Sequence, residues 1–199
     1  MIQEEGQILN LWGVCRQGSK ALGPGLRYVV WTQGCLKRCL GCISPESQQI
    51  TPRVIMETSA LATDIINNSR ISGITISGGE PFLQASALTQ LLKSVKNQRP
   101  ELNVIVFTGY LKKELAWQDA KTLLSQIDVL IDGPYDQNNQ STRGLRGSLN
   151  QNIVFLTNRL IDYREELEKG FRKQEVYVEK DEIVTIGIPS NNQSVTHYK

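Results

Sequence analysis

Three cysteines, Cys35, Cys39 and Cys42, fall within the eight residues Cys35-Leu36-Lys37-Arg38-Cys39-Leu40-Gly41-Cys42, a C-x3-C-x2-C pattern. A loop of that length can bring three thiolates onto one face of a small inorganic core. Lys37 and Arg38 between them would help to hold the sulfurs ionised. The fourth cysteine, Cys15, also lies in the first quarter of the chain. The start, Met1-Ile2-Gln3-Glu4-Glu5, has neither the basic region nor the apolar region of a secretory leader. In a cytoplasmic setting such clustering points to a metal or redox role and away from a disulfide framework. Three chemistries fit. Structural zinc wants four closed ligands, commonly as two separated pairs; here only Cys15 or His197 could add a fourth, and neither has a partner at finger spacing. A redox dithiol from Cys39 and Cys42 leaves Cys35 without a role. An iron–sulfur cluster on three cysteines differs from the usual four-cysteine cluster, so one iron stays open. An open iron is a place for a substrate to bind.

The elements that would carry this loop alternate. Arg27–Thr32 is a β-branched and aromatic run, a buried strand that ends at Gln33-Gly34 just before the cysteines. A helix over Ser59–Asn67 carries Leu61, Ala62, Ile65 and Ile66 on one face. Ile71–Ser77 is a second strand, breaking into Gly78-Gly79-Glu80-Pro81. The helix that follows, through Lys96, places Ala85, Leu88, Leu91, Leu92 and Val95 at helical spacing. Leu102–Thr108, Asp128–Ile131 and Ile153–Leu156 are further strands, with helices over Asp119–Gln126 and Arg159–Lys169. The last helix pairs Glu165 with Lys169 and stops at Gly170. Alternation of this kind predicts an α/β fold with a parallel sheet and right-handed crossovers.

The chain has 199 residues, short for a complete eight-unit β/α barrel. The expected architecture is therefore a partial, incomplete β/α barrel of about five to six parallel strands. Residues 1–174 would form the core domain. Residues 175–199 would form an extension, with a small hairpin over Val176–Val178 and Ile183–Ile188 and a polar tail over Pro189–Lys199. The 22 basic residues against 20 acidic ones give a net charge of +2, too little excess to bind a polyanion by counterion release. No apolar run approaches the length of a membrane span. The hydrophobic content of 40% excludes a disordered chain.

The chemically unusual residues all follow strands: the cysteine loop, Gly78-Gly79-Glu80, Thr108-Gly109-Tyr110 and Asp132-Gly133. That edge is where α/β folds bind ligands. Two residues without Cβ let a ligand approach the backbone, and Glu80 offers a carboxylate to an ammonium group. Neither a dinucleotide fingerprint nor a phosphate loop is present.

Cys35/Cys39/Cys42 followed by Gly78-Gly79-Glu80 resembles the radical S-adenosylmethionine (SAM) superfamily. Gly23-Pro24-Gly25-Leu26-Arg27, Gln33-Gly34-Cys35, Asp128–Tyr135 (Asp-Val-Leu-Ile-Asp-Gly-Pro-Tyr) and Arg143–Gln151 resemble the activating enzymes of glycyl radical enzymes, and most of all the activases of anaerobic ribonucleotide reductase. The likeness runs over roughly residues 8 to 157. It implies that Cys35, Cys39 and Cys42 ligate three irons of a [4Fe–4S] cluster, and that the amino and carboxylate groups of SAM chelate the fourth. Glu80, with the backbone of Gly78 and Gly79, would hold the methionine ammonium. Thr108, Gly109 and Tyr110 would lie near the ribose, and Asp132 would face the cofactor from the next strand end. One electron would cleave SAM to methionine and a 5′-deoxyadenosyl radical, which takes a hydrogen atom from a glycine Cα of a partner enzyme.

The resemblance also implies a reduced flavodoxin or ferredoxin as electron donor, and a cytoplasmic protein that needs neither nucleic acid nor membrane. Two alternatives stay open: a radical SAM enzyme acting on a peptide or small molecule, and a non-enzymatic iron–sulfur or zinc module. Two features depart from the family. Gly41 stands where much of the superfamily has an aromatic residue, and the segment from Glu175 onward exceeds what such activases carry. Cys15 reads as a structural thiol in a glycine-flanked loop, His197 as a tail residue, and Trp12, Trp31 and Trp117 as packing residues, with Trp12 a candidate for a partner surface. Arg143 and Arg146 could contact SAM or the partner.

Overall fold

A computed structural model describes residues 7–179 and 182–189. His197, the tail from residue 190 and the Met1–Glu5 start lie outside the described residues. In chain order the elements are β1 (Ile8–Ser19), β2 (Arg27–Thr32), β3 (Val54–Glu57), α1 (Thr58–Asn67), β4 (Gly73–Gly78), α2 (Ala85–Gln98), β5 (Asn103–Phe107), α3 (Gln118–Leu124), β6 (Val129–Asp132), β7 (Asn152–Phe155), α4 (Arg164–Lys169), β8 (Gln174–Glu179) and β9 (Glu182–Gly187). Among the described residues, β1–β7 form one sheet in the order β3-β1-β2-β4-β5-β6-β7, and β8 and β9 form a separate hairpin.

The four middle strands, β2, β4, β5 and β6, are parallel. Their β-branched residues are buried on both faces, as a strand covered on two sides requires. Val30, Ile74, Ile76, Val104 and Val106 meet Leu61, Leu88, Leu91 and Leu123 of α1, α2 and α3 on one face. Ile105, Val129 and Ile131 point the other way, toward Leu145, Leu160 and Leu167. Each such fully buried aliphatic side chain contributes about 1.5–3 kcal/mol. The parallel register aligns the strand ends, pairing Thr32 with Gly78 and Phe107 with Ile131. The segments that follow β2, β4, β5 and β6 therefore leave from one edge of the sheet.

The expectation of five to six parallel strands is corrected to four. The strand near Ile153–Leu156 is present as β7 but runs antiparallel to β6. The segment 133–151 between them holds only one short 3-10 turn, Gln137–Asn139, and no crossover helix; without a crossover a neighbouring strand returns antiparallel. Two strands were not expected. β1 is antiparallel to both β2 and β3, and irregularities between Leu11 and Gly13 and between Cys15 and Ser19 break its alternation. Cys15 thus lies in a strand, opposite Val29, and not in a loop. The helix expected over Arg159–Lys169 divides into a 3-10 turn, Ile161–Tyr163, and the six residues of α4. Its i,i+4 ion pair is Arg164–Glu168, at 2.8 Å.

Candidate functional site

The three residues that immediately precede the cysteines are left-handed: Gly34 (φ 100°), Arg38 (φ 47°) and Gly41 (φ 71°). Each reverses the chain just before a thiol, and Cys35, Cys39 and Cys42 all line one cavity at the sheet edge. Arg38 is the only non-glycine residue with positive φ among the described residues, a conformation that persists only where its surroundings impose it. At Gly41 a Cβ would come within 2.4 Å of the Gln137 side chain, which reaches over from the β6–β7 segment. The Gln137 side chain could swing aside, but the left-handed backbone at Gly41 disfavours any larger residue there. Among the described residues no three His, Cys, Asp or Glu side chains gather closely enough to hold a single metal ion. Cys35, Cys39 and Cys42 are brought together by the cavity that all three line.

Burial pushes the Cys35 thiol upward, and the nearby Glu80 and Cys42 push in the same direction. The backbone N–H groups of Lys37 and Arg38 oppose this. The expected help from the Lys37 side chain is not what the loop provides. Its ammonium lies 3.9 Å from the centre of the Tyr110 ring and 3.8 Å from Glu114. A buried thiol of this kind ionises on meeting a metal, which supplies the charge it lacks.

Gly78-Gly79-Glu80 fastens the loop to the sheet. The Gly79 N–H donates to the Thr32 carbonyl and the Glu80 N–H to the Gly34 carbonyl, both at 2.8 Å. A Cβ on Gly79 would stand 2.3 Å from the Gly34 oxygen and 2.7 Å from the Ser47 oxygen. The glycine therefore admits backbone from both sides of the cysteine loop, a structural demand beside any role in ligand approach. The Glu80 side chain is 1% exposed. It accepts hydrogen bonds from Phe82 N–H (3.0 Å), the Thr108 hydroxyl (2.8 Å) and Gly109 N–H (2.8 Å). Burial raises its carboxyl above the usual carboxylate range, although these donors and Lys37 pull it down.

Thr108 and Gly109 line the cavity with Gly78, Gly79 and Glu80. Tyr110 does not; it packs edge-on against Trp117, with ring centres 5.5 Å apart. Asp132 is at the end of β6, but its carboxylate accepts from Lys112 N–H (2.6 Å) and the Asn152 amide (2.7 Å), and the cavity wall there is Gly133. Arg143 stacks on Phe171 with 4.8 Å to the ring centre, and neither it nor Arg146 reaches the cavity wall. Cys15 packs with Leu22, Val29, Ile186 and Ile188, apart from the other three cysteines.

Sequence reasoning missed an apolar half of the wall: Trp12, Trp31, Phe107 and the β9 residues Val184 and Ile186. Trp12 and Trp31 meet edge-to-face at 6.1 Å. The signal available for Trp31 and Phe107 was their place at the ends of strands that lead into the unusual loops. Nothing in the order of residues announced the hairpin's place on the cavity.

The sequence-family model of the 4Fe-4S single cluster domain matches residues 21–154. The anaerobic ribonucleoside-triphosphate reductase-activating protein of Vibrio cholerae serotype O1 is 35% identical over 139 residues, 66% of this chain and 88% of that protein. The protein of the same name from Enterobacteria phage T4 is 32% identical over 141 residues, 66% of this chain and 85% of its own length. The pyruvate formate-lyase-activating enzyme of Staphylococcus aureus (strain USA300) is 30% identical over 151 residues, 72% of this chain and 60% of that enzyme.

Proposed function

The chain belongs to the 4Fe-4S single cluster domain family, among the radical SAM activating proteins of glycyl radical enzymes, and on that footing we propose that it installs a glycyl radical on a partner of the anaerobic ribonucleotide reductase type. The observation that carries this reading is the meeting of Cys35, Cys39, Cys42 and the buried Glu80 on one cavity.

The donor set suits the cofactors. Three thiols on one cavity suit a group with several metal atoms, each cysteine taking a different iron of a [4Fe–4S] cluster. A closed zinc site wants a fourth ligand, and Cys15 packs apart from the other three cysteines. Glu80, with the Gly78 and Gly79 backbone, would hold the ammonium group of SAM, and Thr108 and Gly109 would flank it. When bound, these cofactors supply one electron to the sulfonium bond and a 5′-deoxyadenosyl radical able to take a hydrogen atom from a glycine Cα.

What the chain adds is placement. Thr108 Oγ1 and Gly109 N–H fix both oxygens of Glu80, so the carboxylate meets its ligand in one orientation. Tyr110 and Asp132 act from behind. Tyr110 braces Lys37, and Asp132 holds the turn at Lys112 and the strand at Asn152. Trp31, Phe107 and Ile186 keep water from the reacting centre. A passive electron carrier would have no use for a buried carboxylate aimed beside its cysteines.

The same reading takes residues 1–174 as the radical SAM core and 175–199 as an extension. Helices α1–α3 all pack on one face of a sheet whose end strands are β3 and β7, which supports an incomplete β/α barrel. It further includes a reduced flavodoxin or ferredoxin as electron donor and the cytoplasm as compartment. Among the described residues no helix is long and apolar enough to cross a membrane.

The test is anaerobic reconstitution with iron and sulfide followed by reduction with SAM. The wild-type chain should release 5′-deoxyadenosine, Cys39→Ala should lose both the cluster absorbance and the product, and Cys15→Ser should keep both. A colourless zinc protein, or a cluster that leaves SAM intact, would contradict the proposal.

A further inference from the structure

The hairpin β8–β9 lies outside the stretch matched by the family, which ends at residue 154. The 139 residues shared with the Vibrio protein make up 88% of that protein but 66% of this chain. Yet Val184, Thr185, Ile186, Gly187 and Ile188 line the same cavity as Cys35, Cys39 and Cys42. The hairpin is held there by specific contacts. Ile186 and Ile188 are buried against Leu22, Val29 and Cys15. Glu175 tethers β8 to the end of β1: its carboxylate accepts the Lys20 N–H at 3.1 and 3.2 Å. The Tyr177 hydroxyl lies 3.0 Å from the Gly18 carbonyl and 3.0 Å from Glu175. Arg172 donates to the Pro189 carbonyl at 2.6 Å and to the Arg146 carbonyl at 2.5 Å.

We propose that this hairpin is a wall added to the family core: it closes one side of the cavity and screens the cysteine loop that lines it. Its apolar inner residues, Val184, Ile186 and Ile188, complete the side that Trp31 and Phe107 begin. Its outer residues Val176 and Val178 remain exposed, so the hairpin has one face committed to the cavity region. The wall does not rest on the radical SAM reading.

Cys15 and Cys35 report on the wall, because both are buried and the first lies under the hairpin. The experiment treats the metal-free full-length chain with iodoacetamide and maps the rate at each cysteine by mass spectrometry. In the wild type, Cys15 and Cys35 should react at least about tenfold more slowly than in the urea-unfolded chain, because reaction requires local opening. Loosening the tethers with the double variant Glu175→Gln, Tyr177→Phe should speed both sites about fivefold or more, with the thermal melt of the core retained. Ile186→Asp should do the same more strongly; if it does not fold, the double variant carries the test. Acceleration at Cys15 alone would mean that the hairpin docks without walling the cavity, and no acceleration at either site would mean that it does not dock as a unit; either result overturns the inference. Release of 5′-deoxyadenosine by the reconstituted wild type separates the two claims. Product with unchanged alkylation defeats the wall and leaves the function standing, while the expected alkylation without product does the reverse.

Discussion

The structural setting of Glu80 and its proposed role pull its ionisation in opposite directions. Burial favours the protonated acid, whereas an ammonium ligand requires the carboxylate. Because its folded value is raised, Glu80's contribution to stability is full below its ordinary range and declines as pH rises through the raised value. Ligand binding has the opposite sign: affinity for SAM should fall on acidification, beginning at a higher pH than for an ordinary carboxylate. Glu80→Gln should remove that dependence and weaken SAM binding by about tenfold or more at neutral pH, since hydrogen bonds to charged groups contribute about 1.5–3 kcal/mol. Calorimetric titration of the reconstituted variants across pH measures both. At Gly79 the demand is steric. Gly79→Ala places a Cβ against the Gly34 and Ser47 oxygens and should cost about 2 kcal/mol, read from the denaturation midpoint. The meeting of Cys35, Cys39, Cys42 and Glu80 at one strand edge was legible, because each follows a parallel strand that ends there. The lysine in the loop misled. Charge near a thiol in sequence is not charge facing it, and Lys37 faces Tyr110 instead.

Among the elements, the middle strands were readable because burial on both faces leaves an unbroken apolar run, as in Tyr28-Val29-Val30 and Val104-Ile105-Val106. β1 was not readable, since Gly13, Gly18 and its irregularities interrupt the period of two. The direction of β7 was also hidden, for direction depends on the connection and not on the strand. The start of β2 carries a second constraint, at the sheet end away from the cysteines. Arg27 is fully buried and donates to Thr75 Oγ1, to Asn103 Oδ1 and to the carbonyls of Pro24, Ile74 and Asn103. Burial lowers its ionisation to about 9, with Asp128 opposing, so it stays charged at neutral pH. Arg27→Met should destabilise the fold by about 3 kcal/mol or more, because several buried acceptors lose their donor at once. A thermal melt of the metal-free variant would show this, and a melt unchanged from wild type would remove Arg27 from the framework.

At the scale of the whole molecule, a four-strand parallel centre with α1–α3 on one face gathers the strand-end loops on a single edge. Antiparallel strands β1, β3 and β7 widen the sheet without closing it. The cavity is thus walled by pieces far apart in sequence: the cysteine loop, three strand ends, the β6–β7 segment and the hairpin. That explains why the site's polar half could be read from motifs while its apolar half could not. Motifs mark residues chosen for chemistry, and walls need only be apolar and near. The proposed role of this cavity is to direct a radical onto a protein glycine. Electron paramagnetic resonance reads that outcome directly, on an anaerobic ribonucleotide reductase from the same source frozen after incubation with the reconstituted chain, reductant and SAM. The expected spectrum is a doublet centred on glycine that collapses when the reductase carries glycine deuterated at Cα, and that is absent with Cys39→Ala. Formation of 5′-deoxyadenosine with no glycine-centred signal on that partner would contradict it.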